Sequence, residues 1–180
     1  MADIFRRAFR AALFDRRPFQ QALWEPSATA DAALIVIVVG AALGLLQVIR
    51  FAPSLDRAVT FVLGTTISTL AAWLVLALAT WFVGSRLFSG PESASRRFEE
   101  SQTMLKMHGL AFLPNLLAGI GGPIGAVGIL WFLAAAAVGT SVALDIRLAE
   151  GGIAILVGAA VVVLVQTLLG APFSVIGGLI

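Results

Sequence analysis

The sequence predicts an all-α polytopic membrane bundle, with five transmembrane helices preceded by an N-terminal amphipathic interfacial helix. Three observations carry that expectation. Apolar stretches recur at 32–49, 60–84, 104–119, 123–144 and 152–170, with no intervening polar stretch long enough to fold alone. Charged residues make up only 12% of the chain and its mean hydropathy is +0.99, whereas a soluble domain carries about 25% charge. Of the 12 Lys and Arg residues, ten fall on one side of a five-span plan when the N-terminus is cytoplasmic and two on the other. The positive-inside rule then sets the N-terminus in the cytoplasm and the C-terminus outside.

The first 30 residues are a basic cytoplasmic segment and 31–180 a five-span membrane domain. In the segment, Ile4, Phe5, Ala8, Phe9, Ala12 and Leu13 recur at helical spacing, flanked by Arg6, Arg7 and Arg10. That pattern fits a helix lying in the headgroup plane, apolar face down and arginines toward anionic lipid. Arg6, Arg7, Arg10 and Trp24 are therefore the candidate contacts to lipid or to a partner. Pro18 should interrupt or restart the helix, because proline lacks the amide that a helix interior needs. Charge spread throughout Met1–Glu25 does not fit a cleaved signal peptide.

Thr29 or Asp31 is positioned to cap the first span. Within it, Gly40 and Gly44 form a Gly-x-x-x-Gly pair, which lets a second backbone approach closely. The second span opens with Gly64, Thr65, Thr66, Ser68 and Thr69, whose hydroxyls can bond back to the preceding turn. These small polar groups suit either a helix interface or the wall of a solute path. Residues 85–106 form a charged connector. The third stretch, 104–119, is the shortest, at 16 residues against the roughly 20 that a crossing needs. It also contains Pro114 and Asn115, with His108 near its start. The fourth carries Trp131, Phe132 and a small-residue run, and the fifth places Ala154 and Gly158 four apart as a packing face. Pro172, Gly177 and Gly178 are expected to interrupt any helical tail.

Residues for chemistry are scarce. There is no cysteine and one histidine, so thiolate and multi-imidazole metal sites are excluded. No His-Glu-x-x-His, Gly-x-Ser-x-Gly or Walker pattern occurs, and the carboxylates Asp31, Asp56, Asp145 and Glu150 all sit at span ends. A proton-driven carrier would place an ionisable group at mid-depth. His108 comes nearest, yet it has no partner in sequence for a proton relay, and it reads as a hydrogen-bonded interfacial histidine. Asn115, about two turns on, reads as a buried hydrogen-bonding residue. Asp145, Arg147 and Glu150 read as local ion pairing. No catalysis and no cofactor are expected.

Several stretches together resemble the Yip1-domain membrane proteins, in particular their small prokaryotic members. They are Phe19-Gln-Gln-Ala-Leu-Trp24-Glu-Pro26, Trp81-Phe-Val-Gly84-Ser-Arg86-Leu-Phe-Ser-Gly90, Phe112-Leu-Pro114, and Trp131 with the run to Gly139. The resemblance implies five spans with a cytoplasmic N-terminus, in agreement with the charge count. Eukaryotic relatives are linked to membrane traffic and Rab-type GTPases. This chain lacks their long N-terminal domain and their Asp-Leu-Tyr-Gly-Pro type signature, and it contains no tyrosine, so that role does not carry over.

The leading expectation is a non-catalytic interaction, scaffold or accessory-subunit protein of a bacterial inner membrane. Its expected partners are membrane lipids and other integral membrane proteins or further copies of itself. Nucleic acid is not expected, since no exposed domain can shape a groove. The alternative is a small transporter or channel, with a path through Thr65, Thr66, Ser68, Thr69, His108 and Asn115.

Overall fold

The computed structural model describes residues 2–51, 54–88 and 94–177, with side chains at 3–51, 54–55, 57–88 and 99–168. All regular structure among them is helical. Seven α-helices run as α1 (Ala2–Ala12), α2 (Arg16–Trp24), α3 (Ala28–Phe51), α4 (Leu55–Leu87), α5 (Ala94–Leu110), α6 (Gly122–Leu144) and α7 (Leu148–Gly177), with a 3-10 segment, Leu113–Ile120, between α5 and α6.

Four stretches are long and apolar enough to cross a membrane: Ala28–Phe51, Arg57–Leu87, Gly122–Leu144 and Leu148–Leu168. Their outward faces expose Leu45, Ile49, Leu63, Ile67, Leu130, Val163 and Leu164. An apolar belt of that extent needs a non-aqueous neighbour, which a bilayer supplies.

The third apolar stretch departs from the expectation of one helix. The α5 helix ends at Leu110, and Leu113–Ile120 tightens into 3-10 geometry with Pro114 in its first turn. Proline has no amide hydrogen for the preceding turn and its ring crowds the carbonyl four residues back, which strains an α-helix, and here the helix gives way to the 3-10 turn. Gly121 and Gly122 then take φ of 75° and 57°, a left-handed corner that glycine adopts freely, and α6 begins. The α5 helix is also polar over its first turns. The broken unit nevertheless tracks α3 lengthwise. Gly109 abuts Ala32, Gly119 abuts Leu43 and Leu46, and Gly121 reaches Arg50.

Close helix approaches are made at small residues. A Cβ on Gly40 would stand 3.0 Å from the Thr66 Cα, and one on Gly44 2.7 Å from the Val62 Cα. The antiparallel α3–α4 crossing is therefore backbone against backbone. Further along α4, Gly158 of α7 sits against Thr80, and Ala154 faces Gly84. Ile35, Val36, Val39, Trp73, Met107 and Ile155 fill the core between these helices. Contrary to the expected break at Pro172, α7 continues to Gly177; proline is tolerated in membrane helices where neighbouring groups re-satisfy the freed backbone.

The N-terminal helices form a hairpin packed on α3, α5 and α6. Asp15 caps α2 by accepting from the Arg17 amide at 2.9 Å, and Phe14 takes φ of 64° in the turn. Ala8 and Ala12, expected on the face toward lipid, are buried in protein together with Ala11, while Phe9 stays exposed. Small side chains explain this, since a row of alanines lets α1 come close to its neighbours. Asp31, expected as a cap of α3, instead bonds Arg7.

Candidate functional site

Five elements, α3, α4, α7, α6 and the 3-10 segment, stand in a ring, each packed against the next. They surround a cavity of about 790 Å³, within the roughly 300–1,000 Å³ typical of small-molecule sites. Its floor is apolar, made by Leu76, Phe112 and Phe132. The two phenyl rings meet edge to face, 5.1 Å between centroids at 67°. Deeper still, the Trp73 indole donates to the Leu105 carbonyl at 3.2 Å, and Met104, Met107 and Leu110 are buried. The cavity is thus closed toward the C-terminal end of α4.

Its other end is polar. Arg57, Thr60, Gln47 and Gln166 line the part nearest the α3–α4 turn. Thr65, Ser68 and Thr69 follow along one face of α4, and Asn115 faces them from the 3-10 segment. Thr69 donates to the Thr65 carbonyl at 2.7 Å, and the Thr65 hydroxyl lies 3.5 Å from the Gln47 carboxamide. The Thr69 hydroxyl keeps acceptor capacity toward the cavity while its proton serves the helix, and the Thr65 hydroxyl directs its proton to Gln47 Oε1. Asn115 is 9% exposed, and among the described residues its carboxamide has no partner. Since Asn115 lines the cavity, a ligand or water there can bond its carboxamide.

The opening lies between α4 and α7. Their close contacts, at Gly84 with Ala154 and Thr80 with Gly158, fall in the half of the bundle away from the α3–α4 turn. In the other half both helices line the cavity, where Gly64, Ser68, Val163 and Gln166 are exposed. Among the described residues Arg57 is the one ionisable side chain of the lining.

Of the residues singled out from sequence for a path, the structure brings Thr65, Ser68, Thr69 and Asn115 together around this cavity. Thr66 points elsewhere and donates to the Val62 carbonyl at 2.7 Å. His108 lies outside the cavity too. It is fully buried in α5, with Nε2 3.2 Å from the Thr140 hydroxyl, while Nδ1 has no partner. Gly40, Gly44, Ala154 and Gly158 all sit at contacts inside the chain. Sequence reasoning missed Arg57, Gln47 and Gln166 as part of the site. Each lies near a span end, where a polar residue looks like an ordinary boundary.

The basic segment makes specific contacts. Arg7 pairs with Glu25, and with Asp31 at 2.9 Å. Arg6 pairs with Asp3 at 2.8 Å, and Arg10 donates to Asp15 at 2.9 Å. The Arg17 backbone amide and the Arg10 guanidinium hold the Asp15 carboxyl below its ordinary value. Lys106 donates to the Ala22 and Glu25 carbonyls at 3.3 and 3.2 Å, and the Trp131 indole to the Ala12 carbonyl at 2.6 Å. Trp24 is 87% exposed. These partners are dispersed through the chain, and only the alanine row of α1 hinted at so close a dock.

The Yip1 domain family model matches residues 10–170 of the chain. No curated protein and no solved structure matches it.

Proposed function

We propose, on the premise that this chain belongs to the Yip1-domain family of membrane proteins, that it works by binding within the bilayer and not by catalysis. The observation that carries this reading is the one-ended cavity. Hydroxyl, carboxamide and guanidinium groups converge at its mouth, and its floor is sealed by Phe112 and Phe132. A lining with these groups and no acid–base pair recognises a ligand without transforming it. The same closure argues against a continuous channel along Thr65, Ser68, Thr69 and Asn115.

The reading includes five crossings, the third made jointly by α5 and the 3-10 segment. Their passage along α3 from Ala32 to Arg50 supports it. Irregular backbone at membrane depth is tolerated where protein covers it, and Pro114 and Asn115 are both buried. The N-terminal hairpin, residues 1–30, then docks at the cytoplasmic end of a membrane domain spanning 31–180, with the C-terminus periplasmic in a bacterial inner membrane. Charge placement supports the orientation.

A scaffold or accessory-subunit role is the second reading, favoured by the hairpin's outward face. There, Phe9, Phe14 and Trp24 are exposed beside Arg16 and Arg17, a surface suited to headgroups or to another membrane protein. The helix-packing glycines Gly40, Gly44 and Gly158 are occupied within the chain. Membrane lipids are accordingly the first partner proposed, with self-association or other integral proteins at the hairpin and the outer belt. Nucleic acid is not among the proposed partners.

Because the chain has no native cysteine, sided thiol labelling in membranes tests the cavity. Single variants Ser54→Cys, Ser68→Cys and Glu99→Cys are treated with an impermeant maleimide from each side. Ser68→Cys should react from the side that labels Ser54→Cys and not from the side that labels Glu99→Cys. Reaction from both sides would mean a through-path, and failure of Ser68→Cys to react even in delipidated, detergent-solubilised protein would remove the open cavity.

A further inference from the structure

We infer that the cavity holds one anionic membrane lipid, drawn sideways from the leaflet at the α3–α4 end, with its headgroup at Arg57 and an acyl chain against Phe112 and Phe132. The inference rests on the reading of the cavity as the working part and adds its ligand. Four observations on the molecule converge.

The wall is graded. Arg57, Gln47 and Gln166 stand at one end, hydroxyls and Asn115 follow, and Leu76, Phe112 and Phe132 form the far end. Only an amphipath matches that order along its length. The charge is complementary as well. Arg57 is exposed, and among the described residues it is the ionisable group of the lining. The other arginine at this end, Arg50, stacks over the Phe51 ring at 5.7 Å and reaches Gly121. A guanidinium forks onto a phosphate diester by paired, charge-assisted hydrogen bonds.

The location selects the source. The opening runs between α4 and α7, both long and apolar enough to cross a membrane, so the molecules that meet it are lipids. Arg57 lies before the apolar part of α4, at the depth where headgroups end and chains begin, and Gly64 and Ser68 leave room below it. Finally, Asn115 presents an unpartnered carboxamide from the opposite wall, nine-tenths buried. Its amide hydrogens suit an ester carbonyl beneath the headgroup, and bonding there would satisfy it.

The test uses full-length protein reconstituted in vesicles of equal parts phosphatidylglycerol and phosphatidylcholine, then extracted gently and weighed by native mass spectrometry. Wild type should retain one phosphatidylglycerol in preference to phosphatidylcholine. Arg57→Gln should lower that preference about tenfold, the scale of losing one charge-assisted hydrogen bond, and Ser68→Trp should reduce retention of both lipids by filling the opening. Circular dichroism and elution volume establish that each variant is folded. Should Ser68→Trp misfold, competition by a spin-labelled phosphatidylglycerol against wild type reads the same occupancy. Equal retention of the two lipids, unaffected by Arg57→Gln but lost in Ser68→Trp, would overturn the anionic ligand and leave the cavity as a binding site. Retention unchanged in both variants would show annular lipid only and overturn the lipid site. One-sided labelling of Ser68→Cys alongside that result would still uphold the cavity.

Discussion

Replacing Gly44 by alanine should destabilise the bundle more than the same change at any other glycine along the α3–α4 contact. The added methyl would stand 2.7 Å from the Val62 Cα and 3.3 Å from the Phe61 and Val62 carbonyl oxygens. All three are backbone atoms in a helix, which cannot swing aside as a flexible side chain does, so α3 and α4 must separate. Overpacking of this kind costs about 1–3 kcal/mol. Gly40→Ala meets the Thr66 Cα at 3.0 Å and the Thr69 Cβ at 3.2 Å, a shortfall of only a few tenths of an ångström, and should cost less. Gly64→Ala meets nothing within 4 Å and should cost nothing. Thermal unfolding in a mild detergent, followed by circular dichroism, reads the series, at about 2–4 °C per kcal/mol for a chain of this size. The order Gly44→Ala, Gly40→Ala, Gly64→Ala from least to most stable is the signature. Equal melting of Gly44→Ala and Gly64→Ala would refute the backbone contact, and with it the geometry that shapes one wall of the cavity.

Other consequences are equally specific. Arg7→Ala removes the bonds to Glu25 and Asp31 and should loosen the hairpin by about 1–2 kcal/mol after allowance for its partial exposure, seen as faster hydrogen exchange in α1 and α2 with α4 unchanged. Thr140→Val leaves His108 buried without its hydroxyl partner and should cost about 1–3 kcal/mol. The double variant His108→Leu, Thr140→Val should melt above that single variant, because it removes both polar groups together. The Asp15 carboxyl is held below its ordinary value of 3.8, first by the Arg17 amide and then by Arg10. It therefore supports the hairpin fully above about pH 4 and loses that support as pH falls through its depressed value. Protease cleavage at the α1–α2 turn should rise on acidification in wild type, and Asp15→Ala should raise cleavage at neutral pH and remove the acid step.

The four uninterrupted helices were legible because each is a long apolar run, and periodicity hardly matters when lipid surrounds most of a helix. The third stretch shows where length stops being enough. Its 16 residues and Pro114 marked it as the weakest span, but the 3-10 turn depends on Gly109 and Gly119 fitting Ala32, Leu43 and Leu46, contacts distant in sequence. Thr65, Ser68, Thr69 and Asn115 were legible as polar groups in apolar surroundings. Which of them meet was not, since Thr66 lies among them on α4 and yet stands at the α3 contact beside Gly40, outside the cavity lining. Arg57, Gln47 and Gln166 were hidden by their place near span ends. The hairpin's internal contacts were hidden for a different reason. Arginine beside an apolar helix face suits lipid phosphate and a half-buried carboxylate equally, and only the fold brings Glu25 and Asp31 to Arg7.

The ring around the cavity closes only if the 3-10 segment lies beside the C-terminal part of α3. A cysteine pair at Leu46 and Gly119 measures this directly, because the Leu46 Cβ lies 3.6 Å from where a Gly119 Cβ would stand, inside the roughly 3.5–4.5 Å span of a disulfide. Gly84→Cys with Ala154→Cys, at 3.7 Å, is the reference pair between α4 and α7. With a mild oxidant in native membranes, Leu46→Cys/Gly119→Cys should cross-link as completely as the reference pair. Full cross-linking of the reference with none between Leu46→Cys and Gly119→Cys would contradict the broken third crossing and leave the cavity without one of its walls.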